Sequence, residues 1–249
     1  MPTSEVFNCD CLTYMRSLPD NAFDLMVADP PFGSGFTEGG GCKGWFTKYH
    51  QNAECSQSVQ VERENAVPAY NRFGSPGSRF EKYKPEASDG KKKIISWDVS
   101  PGPEYFEEMF RVSRNQIIWG GNYFQLPPTR CFLVWRKLTI SENFTMAMAE
   151  YAWTSFNENA KVFECAPQGR PGDERFHACQ KPVALYKWIL SRYAKPGDKI
   201  FDPYLGSGSS RIAAWDMGFD FVGCEIDKTY FDLMEKRFNE HTKQTRMEL

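Results

Sequence analysis

The sequence predicts an α/β protein with its ligand at the carboxyl ends of parallel strands, and three stretches of its 249 residues carry that expectation. Phe23-Asp24-Leu25-Met26-Val27-Ala28 is a short apolar run bounded by turn residues, as a buried strand is, and it closes on Asp29-Pro30-Pro31-Phe32. Lys199-Ile200-Phe201-Asp202-Pro203-Tyr204-Leu205-Gly206-Ser207-Gly208-Ser209-Ser210 reads as a strand, a glycine turn and the start of a helix, with Gly206 and Gly208 letting a ligand approach the backbone closely. Phe219-Asp220-Phe221-Val222-Gly223-Cys224 is another strand. It ends at Glu225, about 20 residues beyond the glycines, where dinucleotide-binding folds place the acid that holds a ribose.

The remaining elements follow in order. Residues 5–8 read as a first strand and 11–17 as a short helix closed by Leu18-Pro19. Residues 33–95 hold Gly39-Gly40-Gly41, Gly74-Ser75-Pro76-Gly77 and Lys91-Lys92-Lys93 without a sustained helical or strand period, so they are expected to be a loop insertion in a single domain spanning 1–249. A helix over 103–113 follows, with Tyr105, Phe106, Met109 and Phe110 on one face. Strands are expected at 116–119, 132–135 and 150–153, and helices over 182–193, 209–215 and 228–238.

Composition narrows the setting. A net charge of −2 is unusual for a nucleic-acid binder, so any such surface must be local. The insertion is the candidate: its lysines and arginines outnumber its acids, and its aromatics include Trp45, Tyr49 and Tyr83. Eight cysteines without a C-x-x-C pair argue for reduced thiols. No apolar run reaches membrane-spanning length and no basic-then-apolar leader opens the chain, so a cytoplasmic protein is expected. Cys42, His50 and Cys55 match no common zinc spacing, and no metal is expected.

Asp29-Pro30-Pro31-Phe32 carries the chemistry. An exocyclic amine on a nucleobase is a poor nucleophile because its lone pair is delocalised into the ring, so both N–H groups must be held by acceptors. Asp29 and the Pro30 carbonyl supply them. Proline has no N–H of its own and a fixed φ, so its carbonyl is aimed without a competing donor, and Phe32 offers a face to the base. Taken alone, the same residues simply end a strand.

Five motifs in order reverse that balance: Asp10-Cys11-Leu12 with Leu18-Pro19-Asp20, then Asp29-Pro30-Pro31-Phe32, His177-Ala178-Cys179-Gln180-Lys181-Pro182, Asp202-Pro203-Tyr204-Leu205-Gly206-Ser207-Gly208, and Gly223-Cys224-Glu225-Ile226-Asp227. Together they resemble the permuted, beta-class amino-group DNA methyltransferases that use S-adenosylmethionine, with the catalytic motif ahead of the cofactor motif. The resemblance implies a Rossmann-like methyltransferase fold with a mostly parallel seven-stranded sheet, helices on both faces, and the first strand beside the last. It implies catalytic roles for Asp29, Pro30, Pro31 and Phe32. Cofactor contacts are implied for Asp10, Cys11, Gln180, Lys181, Asp202, Pro203, Tyr204, Gly206, Ser207, Gly208, Glu225 and Ile226.

Bland readings stand beside several of these. Asp10 is equally a helix N-cap, Lys181-Pro182 equally opens a helix, and Asp202 either meets the methionine ammonium or braces the glycine turn. Trp119-Gly120-Gly121-Asn122 borders the base pocket or simply fills the core. Two departures from the family are Ala178-Cys179 for Pro-Thr and Phe32 for the commoner Tyr. Asp29 in place of Ser leans toward adenine N6 over cytosine N4. The expected activity is therefore site-specific N6-adenine methylation of a flipped base in DNA, as a restriction-modification enzyme makes. The alternatives are N4-cytosine methylation, RNA adenine methylation, and a degenerate nucleic-acid-binding module. DNA is the expected partner, a homodimer stays open, and no membrane is involved.

Overall fold

In the computed structural model, residues 2–33, 36–37, 41–42, 98–143, 146–167, 175–177 and 179–247 are described. The strands of its main sheet are β1 (Ser4–Phe7), β2 (Phe23–Ala28), β5 (Ser113–Trp119), β6 (Phe132–Lys137), β7 (Ala149–Thr154), β8 (Lys161–Cys165), β9 (Lys199–Asp202) and β10 (Asp220–Cys224). They lie in the order β1-β10-β9-β2-β5-β7-β6-β8. The first five in that order are mutually parallel, β7 runs antiparallel to both its neighbours, and β8 is parallel to β6. The first strand does lie beside the last, with Ser4 opposite Phe221 and Phe7 opposite Cys224.

Alternation along the central strands builds two cores. Leu25, Val27, Ile117, Trp119, Ile200 and Phe221 face one side of the sheet, and Met26, Ala28, Ile118, Phe201 and Val222 face the other. A strand covered on both faces needs no polar side, which is why β2 reads as a nearly continuous apolar run. The first face is covered by α3 (Val183–Tyr193) and α4 (Ser209–Met217), with Phe231 and Met234 of α5 (Lys228–Met247) packed there too. The second is covered by α1 (Cys11–Arg16) and α2 (Pro103–Val112). In α2, Tyr105, Met109 and Val112 recur at helical spacing and are buried, and Pro103 occupies the first turn, where a missing N–H costs nothing.

The strand number and several boundaries differ from the sequence expectation. The main sheet has eight strands, not seven: β8 is an edge strand whose outward Val162 and Glu164 are solvated, so it lacks the apolar signature of its neighbours. Ser113 begins β5 instead of ending α2, because the two elements abut without a loop. The last helix continues to Met247.

The chain divides into two units, Met1–Phe32 with Ser100–Leu249, and Gly33–Val99. In the second, β3 (Phe36–Thr37) pairs antiparallel with β4 (Gly41–Cys42). The expected basic arm and the Cys42, His50 and Cys55 side chains otherwise lie outside the described residues. Among those described, no helix is long and apolar enough to cross a membrane, and no cluster of three or more His, Cys, Asp or Glu is arranged to hold a metal.

Candidate active site at the carboxyl edge of the sheet

Because β1, β10, β9 and β2 are neighbouring parallel strands, the residues that end or follow them share one edge. Asp10, Glu225, Asp202 and Asp29 all fall there. Glu225 leaves the end of β10 with its carboxylate turned onto backbone: Oε2 accepts the Gly206 N–H at 2.8 Å and Oε1 the Asp227 N–H at 2.9 Å. Burial nevertheless holds its carboxyl above the usual carboxylate range, and Asp227 adds to that. Next to it Ile226 is 59% exposed, an apolar side chain presented to solvent beside the acid.

The glycine turn is required by geometry at two points. Gly206 has φ +50°, and a Cβ there would lie 3.4 Å from His177 Nε2. Gly208 has φ +72°, and a Cβ there would meet Met234 of α5 at 2.4 Å. The first glycine thus admits a neighbour close to the backbone, while the second lets α5 pack against the turn. The turn is braced further by Arg237 Nη1, which donates to the Ser207 carbonyl at 2.8 Å, and by the Ser207 and Ser209 hydroxyls, 3.2 Å apart. Pro203 is buried and Tyr204 half-buried, its ring 5.3 Å from that of Tyr105.

Asp202 is buried at 2% exposure and accepts from the Tyr204 N–H at 3.0 Å and from the Ser210 hydroxyl. Burial pushes its carboxyl up to about 7 against these two hydrogen bonds, with the charges of Asp29 and Glu225 adding to the rise. It therefore braces the turn in this structure. Asp10 caps α1: its carboxylate accepts from the Thr13 N–H at 2.8 Å and the Thr13 hydroxyl at 2.7 Å. Cys11 opens that helix, and burial pushes its thiol up to about 12.

Asp29 sits directly beyond β2, with Pro30 buried and Pro31 half-buried after it. Its Oδ2 accepts from the ammonium of Lys181, which is 5% exposed. Lys181 also reaches Glu150 Oε2 at 3.2 Å, and Lys137 Nζ donates to Glu150 Oε1 at 2.6 Å. Burial raises the Asp29 carboxyl, opposed chiefly by Lys181. Burial also works against the Lys181 ammonium, yet Asp29 and Glu150 hold it above the ordinary lysine range. Lys181 lies over the Trp119 ring at 5.4 Å, and Trp119 is fully buried. Phe32 stacks on Tyr123, ring centroids 4.4 Å apart.

Two placements depart from the sequence reading. Lys181 and Gln180 are expected from the motif at the methionine end of a cofactor, whereas Lys181 is paired to Asp29 and the Gln180 side-chain carbonyl accepts the Phe176 N–H at 3.3 Å. The motifs also assign no role to Glu150, Lys137 or Tyr123. A signal exists for Glu150, the one charge in an otherwise uncharged β7, whereas Lys137 follows Arg136 at the end of β6 and no pattern in the sequence separates the two.

With this geometry in view, the family model for N6/N4 DNA methylases matches residues 81–236, and the chain belongs to that family of S-adenosylmethionine-dependent DNA methyltransferases. It is 26% identical over 266 aligned residues to the type II methyltransferase M.HinfI of Haemophilus influenzae, covering 93% of this chain and 67% of that protein. Among solved structures it resembles the M1.HpyAVI–SAM complex, with a TM-score of 0.52 and 16% identity over 95% of this chain and all of that one. It also resembles the cytosine-N4-specific PvuII DNA methyltransferase, with a TM-score of 0.54 and 10% identity over 97% of this chain and 92% of that one. At such identities the two structures share the fold with this chain.

Proposed function

We propose that this protein methylates N6 of an adenine flipped out of duplex DNA, as the modification half of a restriction-modification pair would. The observation that carries the reading is the Asp29 carboxylate at the end of β2, with Oδ2 held by Lys181 and the Pro30 carbonyl following it directly. Oδ2 being anchored, Oδ1 is the oxygen that serves as acceptor for the target amine.

The residues present fit S-adenosylmethionine. Asp202, Asp29 and Glu225 stand close enough that the first is raised by the charges of the other two, a concentration of acid that suits a ligand bearing an ammonium and a sulfonium. A carboxylate offers about four lone-pair sites, so Glu225 keeps acceptor capacity for ribose hydroxyls after holding Gly206 and Asp227. Ile226, with Asp10 and Cys11 from the neighbouring strand end, would border the adenine, and Asp202 with the turn at Gly206 would hold the methionine end. When bound, S-adenosylmethionine supplies an electrophilic methyl whose sulfur departs neutral, so no metal is called for.

The chain's own residues do the rest. Asp29 and the Pro30 carbonyl accept the two amine hydrogens, which draws the nitrogen lone pair out of conjugation and aims it. As the new N–C bond forms, the amine becomes acidic, and Asp29 Oδ1 is placed to take one proton. The Phe32–Tyr123 stack offers an aromatic surface for the extruded base, whose unstacking costs a few kcal/mol. Incubating unmethylated DNA with the enzyme and S-adenosylmethionine, digesting to nucleosides and resolving them by mass spectrometry tests the reading. N6-methyladenine is expected; N4-methylcytosine would keep the family and overturn the base.

A further inference from the structure

Lys181, 5% exposed, contacts two carboxylates, and the second of them meets another buried lysine. The chain of charges runs Asp29, Lys181, Glu150, Lys137, with contacts of 3.2 Å from Lys181 to Glu150 and 2.6 Å from Lys137 to Glu150. Its members come from four places that only the fold brings together. Asp29 follows β2, Lys181 precedes α3, Glu150 is the second residue of β7, and Lys137 ends β6. β7 is antiparallel, so its beginning reaches the same edge where β2 and β6 end. Lys137 and Lys181 are nearly sealed from water, at 6% and 5% exposure. In such surroundings a charge two links away is felt, since screening is weak.

The four charges alternate and sum to zero. Glu150 draws on the same ammonium that holds Asp29, which weakens the grip of Lys181 on Asp29. Lys137 in turn neutralises Glu150 and restores that grip. We propose that Glu150 and Lys137 are positioning residues that set, through Lys181, how strongly Asp29 accepts a hydrogen from the target amine. The proposal rests on the reading of Asp29 given above. Other groups facing the Asp29–Lys181 pair are Asp202 at the end of β9, Tyr186 on α3, and His177 and Cys179 in the loop before it. None of these bridges Lys181 to a second carboxylate, as Glu150 does.

Two substitutions separate this from a packing role because they move Asp29 in opposite directions. Glu150→Gln keeps size and an acceptor for Lys181 but removes the negative charge, leaving Lys181 wholly to Asp29. Lys137→Met removes the positive charge and leaves Glu150 pulling harder on Lys181. The Asp29 side-chain carboxyl, 13C-labelled and assigned with Asp29→Asn, is titrated by NMR in each full-length protein without DNA. Its midpoint should fall in Glu150→Gln and rise in Lys137→Met, each by about half a pH unit or more. Lys137→Arg, which keeps the charge, should titrate as the parent does. The acid limb of kcat/KM against pH for DNA methylation should move with these midpoints while S-adenosylmethionine affinity stays unchanged. Identical Asp29 midpoints in all variants, or shifts of the same sign, would overturn the inference. A parent enzyme without methyl transfer would instead overturn the proposed function, and the NMR titration would still decide the charge chain.

Discussion

Glu225 Oε2 accepts the backbone N–H of Gly206 at 2.8 Å across the gap between two adjacent parallel strands. The acid after β10 therefore fixes the turn after β9, and in the proposed function the same carboxylate would also meet the cofactor's ribose. Each element of the site is tied to another in this way, and the particular ties have measurable consequences.

Replacing Glu225 by Ala should weaken S-adenosylmethionine binding by roughly 1–3 kcal/mol, the loss of a charge-assisted hydrogen-bond partner. Calorimetry reads this directly. An unchanged affinity would move the ribose contact elsewhere.

Asp29→Ala should abolish methyl transfer and leave cofactor affinity nearly intact, because the role proposed for the side chain is to accept from the target amine and not from the cofactor. Lys181 keeps Glu150 as a partner at 3.2 Å, so the ammonium is not stranded in the variant. Single-turnover assays beside a binding titration separate the two effects, and retained turnover would place the proton acceptor on another residue.

Gly208→Ala and Gly218→Ala place the same methyl at positive φ with different surroundings. At Gly218 the added Cβ meets nothing within 4 Å and only the backbone strain is felt, about 1 kcal/mol. At Gly208 it collides with Met234 Cγ at 2.4 Å, adding overpacking of about 1–3 kcal/mol. Thermal unfolding should rank Gly208→Ala as clearly the less stable, and equal melting temperatures would contradict the packing of α5 on the turn.

Asp202 gives a pH signature of stability. Its carboxyl is raised from 3.8 to about 7 in the folded chain, so the native state holds a proton that the unfolded state has released. The contribution is fully present below about pH 4 and is lost as pH rises through about 7, with a slope of at most about 1.4 kcal/mol per pH unit. Asp202→Asn removes this dependence. Relative to the parent, the variant should gain stability steadily between pH 4 and pH 7 in denaturant titrations without cofactor, and a constant offset across that range would count against a protonated Asp202.

Much of the architecture is legible in the amino-acid sequence. β2, β9, β10 and the Ile117–Trp119 half of β5 announce themselves because both their faces are buried, and a doubly covered stretch is predominantly apolar. Gly206 and Gly208 are legible because a positive φ admits few other residues. β8 is not, since Lys161-Val162-Phe163-Glu164-Cys165 is neither an apolar run nor a clean alternation, its solvated positions being Val162 and Glu164.

The sequence by itself determined the order of motifs, the class of fold and the acids at the carboxyl ends of four parallel strands, because these depend on local pattern and on spacing along the chain. Only the tertiary structure decided that Lys181 belongs to Asp29, that Glu150 shares it, and that Asp202 is turned inward onto Tyr204 and Ser210. Those choices depend on which side chains an antiparallel β7 carries to the carboxyl edge and how far each is removed from water. Charge pairing between residues far apart in the chain leaves no periodicity to read, and it emerges only when the sheet sets its strands side by side.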